Sequence, residues 1–197
     1  INHMNENHPQ IKNDYAEWYK LLSGISDDGK AKKIKIIYGL EIGEKELNSI
    51  YQKELKRMYQ GMNLTNGVKT LFEKADNQCI ATGGPYEATM EKIKLLNIGS
   101  YFNDKNVFAR DMVKHGKPEP DIFLLAAKKM GFEPENCIVI DDAVAGAKGA
   151  LTAGMDIITY VEHTHTGKEA IINEVRELGV KKIAHNMKNL NEIIYGS

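Results

Sequence analysis

Residues 114–154 read KHGKPEPDIFLLAAKKMGFEPENCIVIDDAVAGAKGALTAG: a lysine-bearing loop, a helix, a short apolar strand, two aspartates and a second helix. The run from Ile138 to Ile140 is typical of a strand buried on both faces of a parallel sheet. Asp141 and Asp142 then lie at its carboxyl end, where open α/β sheets bind their ligands. The helix that follows consists mostly of small residues, which favours close packing on a sheet.

The two aspartates need a balancing charge. Adjacent carboxylates repel one another, and burying them is costly unless a positive group lies close by. The groups that fit are a divalent cation bound through oxygen, for which we predict Mg²⁺, and an ammonium such as that of Lys117. The alternative is that the aspartates only cap the following helix, because Asp is a favourable N-cap residue. The Lys-Pro-x-Pro loop, which holds Lys117 between Gly116 and Pro118, favours the chemical interpretation.

Composition limits the class of protein. The 197 residues suffice for one sizeable domain, or for a core and a small accessory domain. The formal net charge is −1, so a nucleic acid is not the expected partner. The apolar runs are too short for a membrane span or a signal peptide, and we predict a cytoplasmic protein. Cys79 and Cys137 are predicted to be reduced thiols inside buried strands.

Residues 11–62 are predicted to form a small helical domain. Glycine-containing breaks at 24–29 and 39–43 separate three segments with apolar side chains at helical spacing. The clearest stripe comprises Leu47, Ile50, Tyr51, Leu55, Met58 and Tyr59. Smaller clusters lie at residues 18–22 and 34–40.

Residues 63–197 are predicted to form an α/β domain. Strand-like and helix-like segments alternate here, which predicts a doubly wound parallel sheet flanked by helices. A short helix follows the Asn66-Gly67 turn. The predicted strands are residues 78–81, 106–109, 136–140, 156–161 and 181–184. The predicted helices are residues 86–97, 121–130, 144–153, 168–178 and 187–194.

A second candidate binding element is Ala81-Thr82-Gly83-Gly84-Pro85, between a predicted strand and a predicted helix. A hydroxyl and exposed backbone amides at the start of a helix can hold an anion. Gly-Gly-Pro is also an ordinary tight turn, so this stretch does not identify a phosphate site by itself.

The order of these motifs resembles the haloacid dehalogenase (HAD) superfamily of phosphohydrolases: a strand ending in Thr, a Gly-Lys-Pro-x-Pro loop, and a strand ending in Asp-Asp. Residues 116–155 resemble the sugar-phosphatase and β-phosphoglucomutase-like subgroup. The resemblance implies that the helical block is a cap domain. It also implies hydrolysis of a small phosphate monoester, such as a sugar phosphate, with Mg²⁺ as cofactor.

The same resemblance implies a role for each motif. Thr82 and the Gly83 amide would hold phosphate oxygens. Lys117 would bind the substrate and neutralise the phosphoryl group and the nucleophile. Asp142 would bind Mg²⁺, with Asp141 as a further ligand or as an acceptor behind it. Lys117 and Asp141 are thus the catalytic candidates, and charge neutralisation of this kind is what phosphoryl transfer requires.

One motif of the family is missing from the 197 residues. Family members carry their nucleophile in an Asp-x-Asp-Gly motif on a first strand, which precedes the cap and lies in the middle of the sheet. Ser26-Asp27-Asp28-Gly29-Lys30 is no substitute, because it follows no apolar run and falls where a loop of the helical block is expected. We therefore expect a HAD-like core whose first central strand is absent.

Two interpretations follow from this departure. The chain is either a truncated member of an active phosphatase family, inactive as it stands, or a non-catalytic relative that binds phosphate or a protein partner. A receiver domain is a third interpretation, but it needs a phospho-accepting Asp at the end of a later strand, and Asp156 begins one. Without the central strand, its two neighbours should either pair with each other or lead the chains to self-associate.

Overall fold

The computed structural model describes residues 27–39, 61–163 and 167–196, together with positions 41, 43, 45, 46, 49 and 59. Contacts divide the chain into two compact units, Ile1–Met62 and Asn63–Ser197. No helix among the described residues is long and apolar enough to cross a membrane.

In the first unit, helix α1 spans Asp27–Tyr38. The loop expected at residues 26–30 is therefore wrong from Asp27 onwards, because these residues already form the first turn of α1. Ile34 is fully buried, whereas Ile36 is 82% exposed. The apolar cluster at residues 18–22 and most of the stripe at residues 47–59 lie outside the described residues.

The second unit contains the predicted alternation of strands and helices, so the α/β fold class is confirmed. Its helices are α2 (Val68–Lys74), α3 (Tyr86–Leu95), α4 (Asp121–Met130), α5 (Val144–Thr152), α6 (Lys168–Glu177) and α7 (Met187–Tyr195). Its strands are β1 (Ile80–Ala81), β2 (Val107–Phe108), β3 (Ile138–Asp141), β4 (Asp156–Tyr160) and β5 (Lys182–Ala184). Each strand lies within one or two residues of the predicted bounds.

All strand pairs are parallel, as predicted, but they form two sheets. β1 pairs with β2, and β3, β4 and β5 form a separate sheet in that order. No described strand lies between β1 and β3, and these two strands do not pair with each other. The prediction that the two neighbours close up is thus wrong for the described structure, and self-association stays a prediction.

The core lies on both faces of the three-stranded sheet. Ile157 belongs to a cluster formed with α4, α5 and α6. Ile158, the next residue of β4, belongs to a second cluster formed with α7 and with side chains of α2. Successive strand residues point to opposite faces, so β4 is buried on both sides, as expected for a parallel sheet.

Strand β3 departs from the prediction of a fully buried strand. Val139 packs into the cluster formed with α4 and α5. Ile138 and Ile140, which point to the other face, are 43% and 39% exposed. The physical reason is that one edge of β3 has no neighbouring strand, so part of that face stays uncovered.

Candidate active site

The turn after β1 holds Thr82 by two hydrogen bonds. The Thr82 amide donates to the Phe108 carbonyl at 2.9 Å, which extends the pairing with β2 by one residue. The Thr82 Oγ1 accepts the Gly84 amide at 3.1 Å. Since this oxygen acts as an acceptor inside the turn, its own proton remains available to donate to an anion. The Gly83 amide makes no hydrogen bond with any described residue.

Helix α3 begins with its first amide already occupied. The Tyr86 amide donates to both carboxylate oxygens of Asp111, at 3.1 and 3.3 Å. The Arg110 amide donates to the Gly84 carbonyl at 3.1 Å. The loop after β2 therefore fixes the Thr82 turn from the side, and Asp111 takes part of the anion-binding capacity that a helix N-terminus offers.

Lys117 and Asp141 form an ion pair at the carboxyl end of β3. The Lys117 Nζ lies 2.6 Å from Asp141 Oδ2, and the two side chains are 17% and 11% exposed. The same Nζ lies 4.9 Å from the centre of the Phe123 ring. A charge-assisted hydrogen bond and an aromatic face thus hold the ammonium in one place.

Two contacts position the lysine loop. Arg110 donates from Nη1 to the Val113 carbonyl at 2.8 Å and from Nη2 to the Lys114 carbonyl at 3.3 Å. The His115 amide donates to Asp121 Oδ1 at 3.2 Å, and the His115 Nδ1 lies 3.1 Å from the same oxygen. Sequence reasoning missed Asp121, whose position at the start of α4 was the available signal.

Helix α5 packs through its glycines against Asp141, against Phe123 and against the backbone of the lysine loop. A Cβ on Gly146 would lie 2.0 Å from the Asp141 Cγ. A Cβ on Gly149 would lie 2.9 Å from the Phe123 ring and 3.1 Å from the Pro118 carbonyl oxygen. The small-residue helix thus has the close approach expected of it, and the approach is made to the site itself.

Asp141 has both of the roles considered from the sequence, as the partner of a positive charge and as a support for the start of the next helix. Its Oδ2 binds the Lys117 ammonium, and its Oδ1 accepts the Ala143 amide at 3.0 Å. It therefore supports the turn into α5 and also neutralises the lysine. Asp142 is exposed and makes no hydrogen bond or ion pair with any residue in the described part of the chain.

The donor groups fit Mg²⁺ only together with a phosphate. No group of three or more His, Cys, Asp or Glu side chains that could hold a metal occurs among the described residues. Mg²⁺ is commonly bound through one or two carboxylates, with substrate phosphate and water completing the shell. Asp142 offers a free carboxylate for such an arrangement, whereas both oxygens of Asp141 already have partners.

A cavity of about 370 Å³ lies between β1 and β3 and is lined by residues of both strands. We call it the β1–β3 slot. Its walls include Cys79 and Ala81 on one side and residues 137–141 on the other, so its lining reaches Asp141 at one end and the residue before Thr82. The structure thus brings Lys117 into contact with Asp141. Thr82, which follows β1, and Asp141, which ends β3, lie on opposite sides of the slot.

The sequence predicted both cysteines inside buried strands, and this prediction is wrong. In the structure they line the slot, each immediately before a strand. Cys79 is exposed and Cys137 is partly buried, and both are free thiols. Although Cys79 is exposed as a residue, the chain around its sulfur removes part of the solvent from the thiol and so raises the pKa of Cys79 to about 11; the negative charge of the neighbouring Cys137 thiolate adds to the rise. The missing strand was the signal that could have placed both thiols beside an open edge.

A family model described as haloacid dehalogenase-like hydrolase matches residues 5–154. The chain belongs to this family.

Curated relatives of this HAD chain include two phosphatases of phosphorylated carbohydrates. The chain is 27% identical to 6-phosphogluconate phosphatase of Escherichia coli over 77% of its own length and 69% of that protein. It is 30% identical to the phosphorylated carbohydrates phosphatase of Thermotoga maritima over 72% of its own length and 67% of that protein. These relatives support the sugar-phosphatase subgroup of the HAD superfamily.

A solved structure shows the same fold. The putative β-phosphoglucomutase of Thermotoga maritima superposes with a TM-score of 0.65 at 22% identity, covering 92% of this chain and 83% of that one. The HAD-like fold predicted from the motif order is therefore confirmed.

Proposed function

We propose that this HAD chain binds a small phosphate monoester, a sugar phosphate, at the carboxyl ends of β1 and β3. The observation that carries the proposal is the Lys117–Asp141 pair, 2.6 Å long and largely buried, at the end of the slot that also borders the Thr82 turn. The names of the curated relatives, which act on phosphorylated carbohydrates, support the same substrate class.

Each side chain has a defined task in this proposal. The Thr82 hydroxyl donates its free proton to a phosphate oxygen, and the exposed Gly83 amide donates to a second one. The Lys117 ammonium exchanges part of its contact with Asp141 for the phosphoryl oxygens. Asp141 keeps the ammonium aimed, because its Oδ2 accepts a charge-assisted hydrogen bond from the Lys117 Nζ at 2.6 Å.

Mg²⁺ belongs to the proposal as a cofactor that Asp142 would hold, with Asp141, whose oxygens both have partners, as the acceptor behind it. When bound, the ion would neutralise charge on the phosphate oxygens. The helical unit is proposed to be a cap domain, and the protein is proposed to be cytoplasmic.

Phosphate binding and cleavage of the phosphate ester need different groups. The 197 residues contain no Asp-x-Asp-Gly motif, and covalent phosphoryl transfer needs a nucleophile within reach of phosphorus. We therefore propose phosphate binding without turnover for the polypeptide of these residues. The alternative function is that of a non-catalytic relative that binds phosphate, through the same groups, or a protein partner.

Isothermal titration calorimetry with inorganic phosphate, with and without Mg²⁺, tests the binding proposal. Wild type should bind saturably, and Lys117→Ala should lose at least tenfold in affinity, as expected for a charged hydrogen-bond donor. Lys114→Ala is the matched control, because it removes the same charge from an exposed position on the same loop. Equal affinity of wild type and Lys117→Ala contradicts the proposal.

A further inference from the structure

The Thr159 hydroxyl is a buried polar group without a partner. Thr159 lies in β4 and is fully buried, and its Oγ1 makes no hydrogen bond with any residue that the structure describes. A buried hydroxyl that is left unpaired lowers the stability of a fold. Because such groups are rare in native structures, this one calls for a physical explanation.

Asp141 is the neighbour of Thr159 across the sheet. β3 and β4 pair in parallel, with Asp141 in register with Thr159. Val139 and Ile157 pack into the same core cluster with α4 and α5, and two-residue alternation places Asp141 and Thr159 on that same face. Neighbouring strands lie about 4.8 Å apart, so a rotation of the Thr159 side chain can bring its hydroxyl to the carboxylate.

The other neighbours of Thr159 are apolar. On the far side of β4, its in-register partner is Ile183 of β5. Helix α5 packs on β4, and its residues Ala147 and Ala150 are fully buried in the cluster on this face. The Asp141 carboxylate is therefore the acceptor that the register brings to the Thr159 hydroxyl.

Asp141 already has two donors while Lys117 is in place. Its Oδ1 accepts the Ala143 amide at 3.0 Å, and its Oδ2 accepts the Lys117 ammonium at 2.6 Å. When the ammonium turns towards a phosphate, Oδ2 loses its charged donor, although the Asp141 side chain is only 11% exposed. A largely buried carboxylate without compensation is unfavourable, and a threonine hydroxyl can donate the missing hydrogen bond.

We propose that Thr159 is a positioning residue for phosphate binding, whose hydroxyl donates to the Asp141 carboxylate when Lys117 turns to the phosphate. The inference rests on the proposed function, in which Lys117 exchanges part of its contact with Asp141 for phosphoryl oxygens. Thr159 does not touch the phosphate. Its hydroxyl is unpaired in the resting site and paired in the occupied one, so it favours the movement of the ammonium towards the anion.

Urea unfolding of Thr159→Val in two backgrounds tests whether the hydroxyl can serve Asp141. In the otherwise unaltered chain, the substitution removes an unpaired hydroxyl and should raise the folding equilibrium constant by about fivefold. In Lys117→Met, where Asp141 has lost its ammonium, the same substitution should lower that constant by about fivefold, because it removes the replacement donor. A hydroxyl with a merely structural role gives the same sign in both backgrounds.

Two controls isolate the effect of the hydroxyl on Asp141. Lys182→Met removes a lysine from an exposed ion pair, and in that background Thr159→Val should keep the sign that it has in the unaltered chain. Thr159→Ser and Thr159→Ala repeat the comparison without the methyl group, since they differ from each other only in the hydroxyl. Changes of equal sign and size in the unaltered and Lys117→Met backgrounds overturn the inference.

Calorimetric titration with inorganic phosphate links the hydroxyl to binding. Thr159→Val should bind phosphate at least about fivefold more weakly than the unaltered chain, and Thr159→Ser should bind it more tightly than Thr159→Ala. These variants keep Lys117, so they decide the inference if Lys117→Met does not fold. Equal affinity of Thr159→Val and the unaltered chain overturns the inference and leaves the phosphate site intact. If the unaltered chain binds no phosphate, the proposed function fails, and the unfolding comparison still decides whether Thr159 serves Asp141.

Discussion

The Lys117 Nζ lies 2.6 Å from the Asp141 Oδ2, and this contact joins the lysine loop to the carboxyl end of β3. Both side chains are less than one fifth exposed, so solvent screens the pair only weakly. Removing one partner leaves the other charge without compensation in a partly buried place. The pair is therefore a test of how much the site contributes to the stability of the fold.

Lys117→Met should lower the free energy of unfolding by about 2–3 kcal/mol, because the Asp141 carboxylate loses its counter-charge. Lys182→Met is the matched control. It breaks a pair with Asp156 in which the side chains are 45% and 70% exposed, and we expect a loss below about 1 kcal/mol. Urea unfolding of both variants measures the difference. Equal losses would show that the buried pair stabilises the fold no more than the exposed pair does.

Gly146→Ala should destabilise the protein even though alanine favours helices. The added Cβ would lie 2.0 Å from the Asp141 Cγ, whose carboxylate is fixed by Lys117 and by the Ala143 amide. We expect a loss of about 1–3 kcal/mol from overpacking, where helix propensity alone predicts a gain of about 1 kcal/mol. Thermal unfolding gives the sign of the change.

The control for that experiment is Lys148→Ala, an exposed substitution on the same helix whose long side chain only reaches Glu174 at 3.4 Å. It should change stability little. A stabilised Gly146→Ala variant would mean that Asp141 has room to move away from α5.

Arg110→Ala should weaken phosphate binding without removing any proposed phosphate ligand. The guanidinium donates to the Val113 and Lys114 carbonyls and so shapes the loop that carries Lys117. We expect about a three- to tenfold loss of phosphate affinity, since roughly one net hydrogen bond of loop order is lost. Calorimetry measures the loss, and Arg176→Ala, an exposed arginine on α6, is the control. Unchanged affinity of Arg110→Ala would show that the lysine loop keeps its shape unaided.

The 197-residue polypeptide should show no phosphatase turnover above background with p-nitrophenyl phosphate or a panel of sugar phosphates in millimolar Mg²⁺. A nucleophile at the end of a strand between β1 and β3 would reach a phosphate held by Thr82 and Lys117. No described strand lies there, so no described carboxylate has that position. Turnover that Asp142→Ala abolishes would reveal a substitute nucleophile and refute this prediction.

Much of the second unit could be predicted because its signals are local. The alternation of apolar runs with helical stripes predicted five strands in parallel orientation, and the strand predicted at residues 136–140 lies within two residues of β3. The Lys-Pro-x-Pro loop and the Asp-Asp pair indicated two groups that do lie in contact, Lys117 and Asp141.

The errors arose where the outcome depends on a neighbour far away in sequence. An apolar run is the same whether a strand has one neighbour or two, so sequence periodicity assigned Ile138 and Ile140 to a fully buried strand. The contacts of Asp121 with His115 and of Asp111 with Tyr86 depend on loop geometry that no periodicity encodes. The place of Cys79 at an open edge follows from the same missing neighbour.

The Cys79 thiol should react with iodoacetamide slowly at neutral pH and faster as the pH rises, without a plateau below about pH 10. Burial raises the pKa of this thiol from 9.0 to about 11, so the folded chain contains ~100-fold less thiolate at pH 8 than an ordinary cysteine would. The raised pKa favours the protonated thiol in the folded state. The corresponding stability is complete below about pH 9 and decreases as the pH rises toward 11. Mass spectrometry of the peptide that contains Cys79 follows this thiol in the unaltered chain, and the same chain in urea should show the ordinary inflection. An inflection near pH 9 in the folded chain would show that the thiol is solvated and that the slot is open to water at this point.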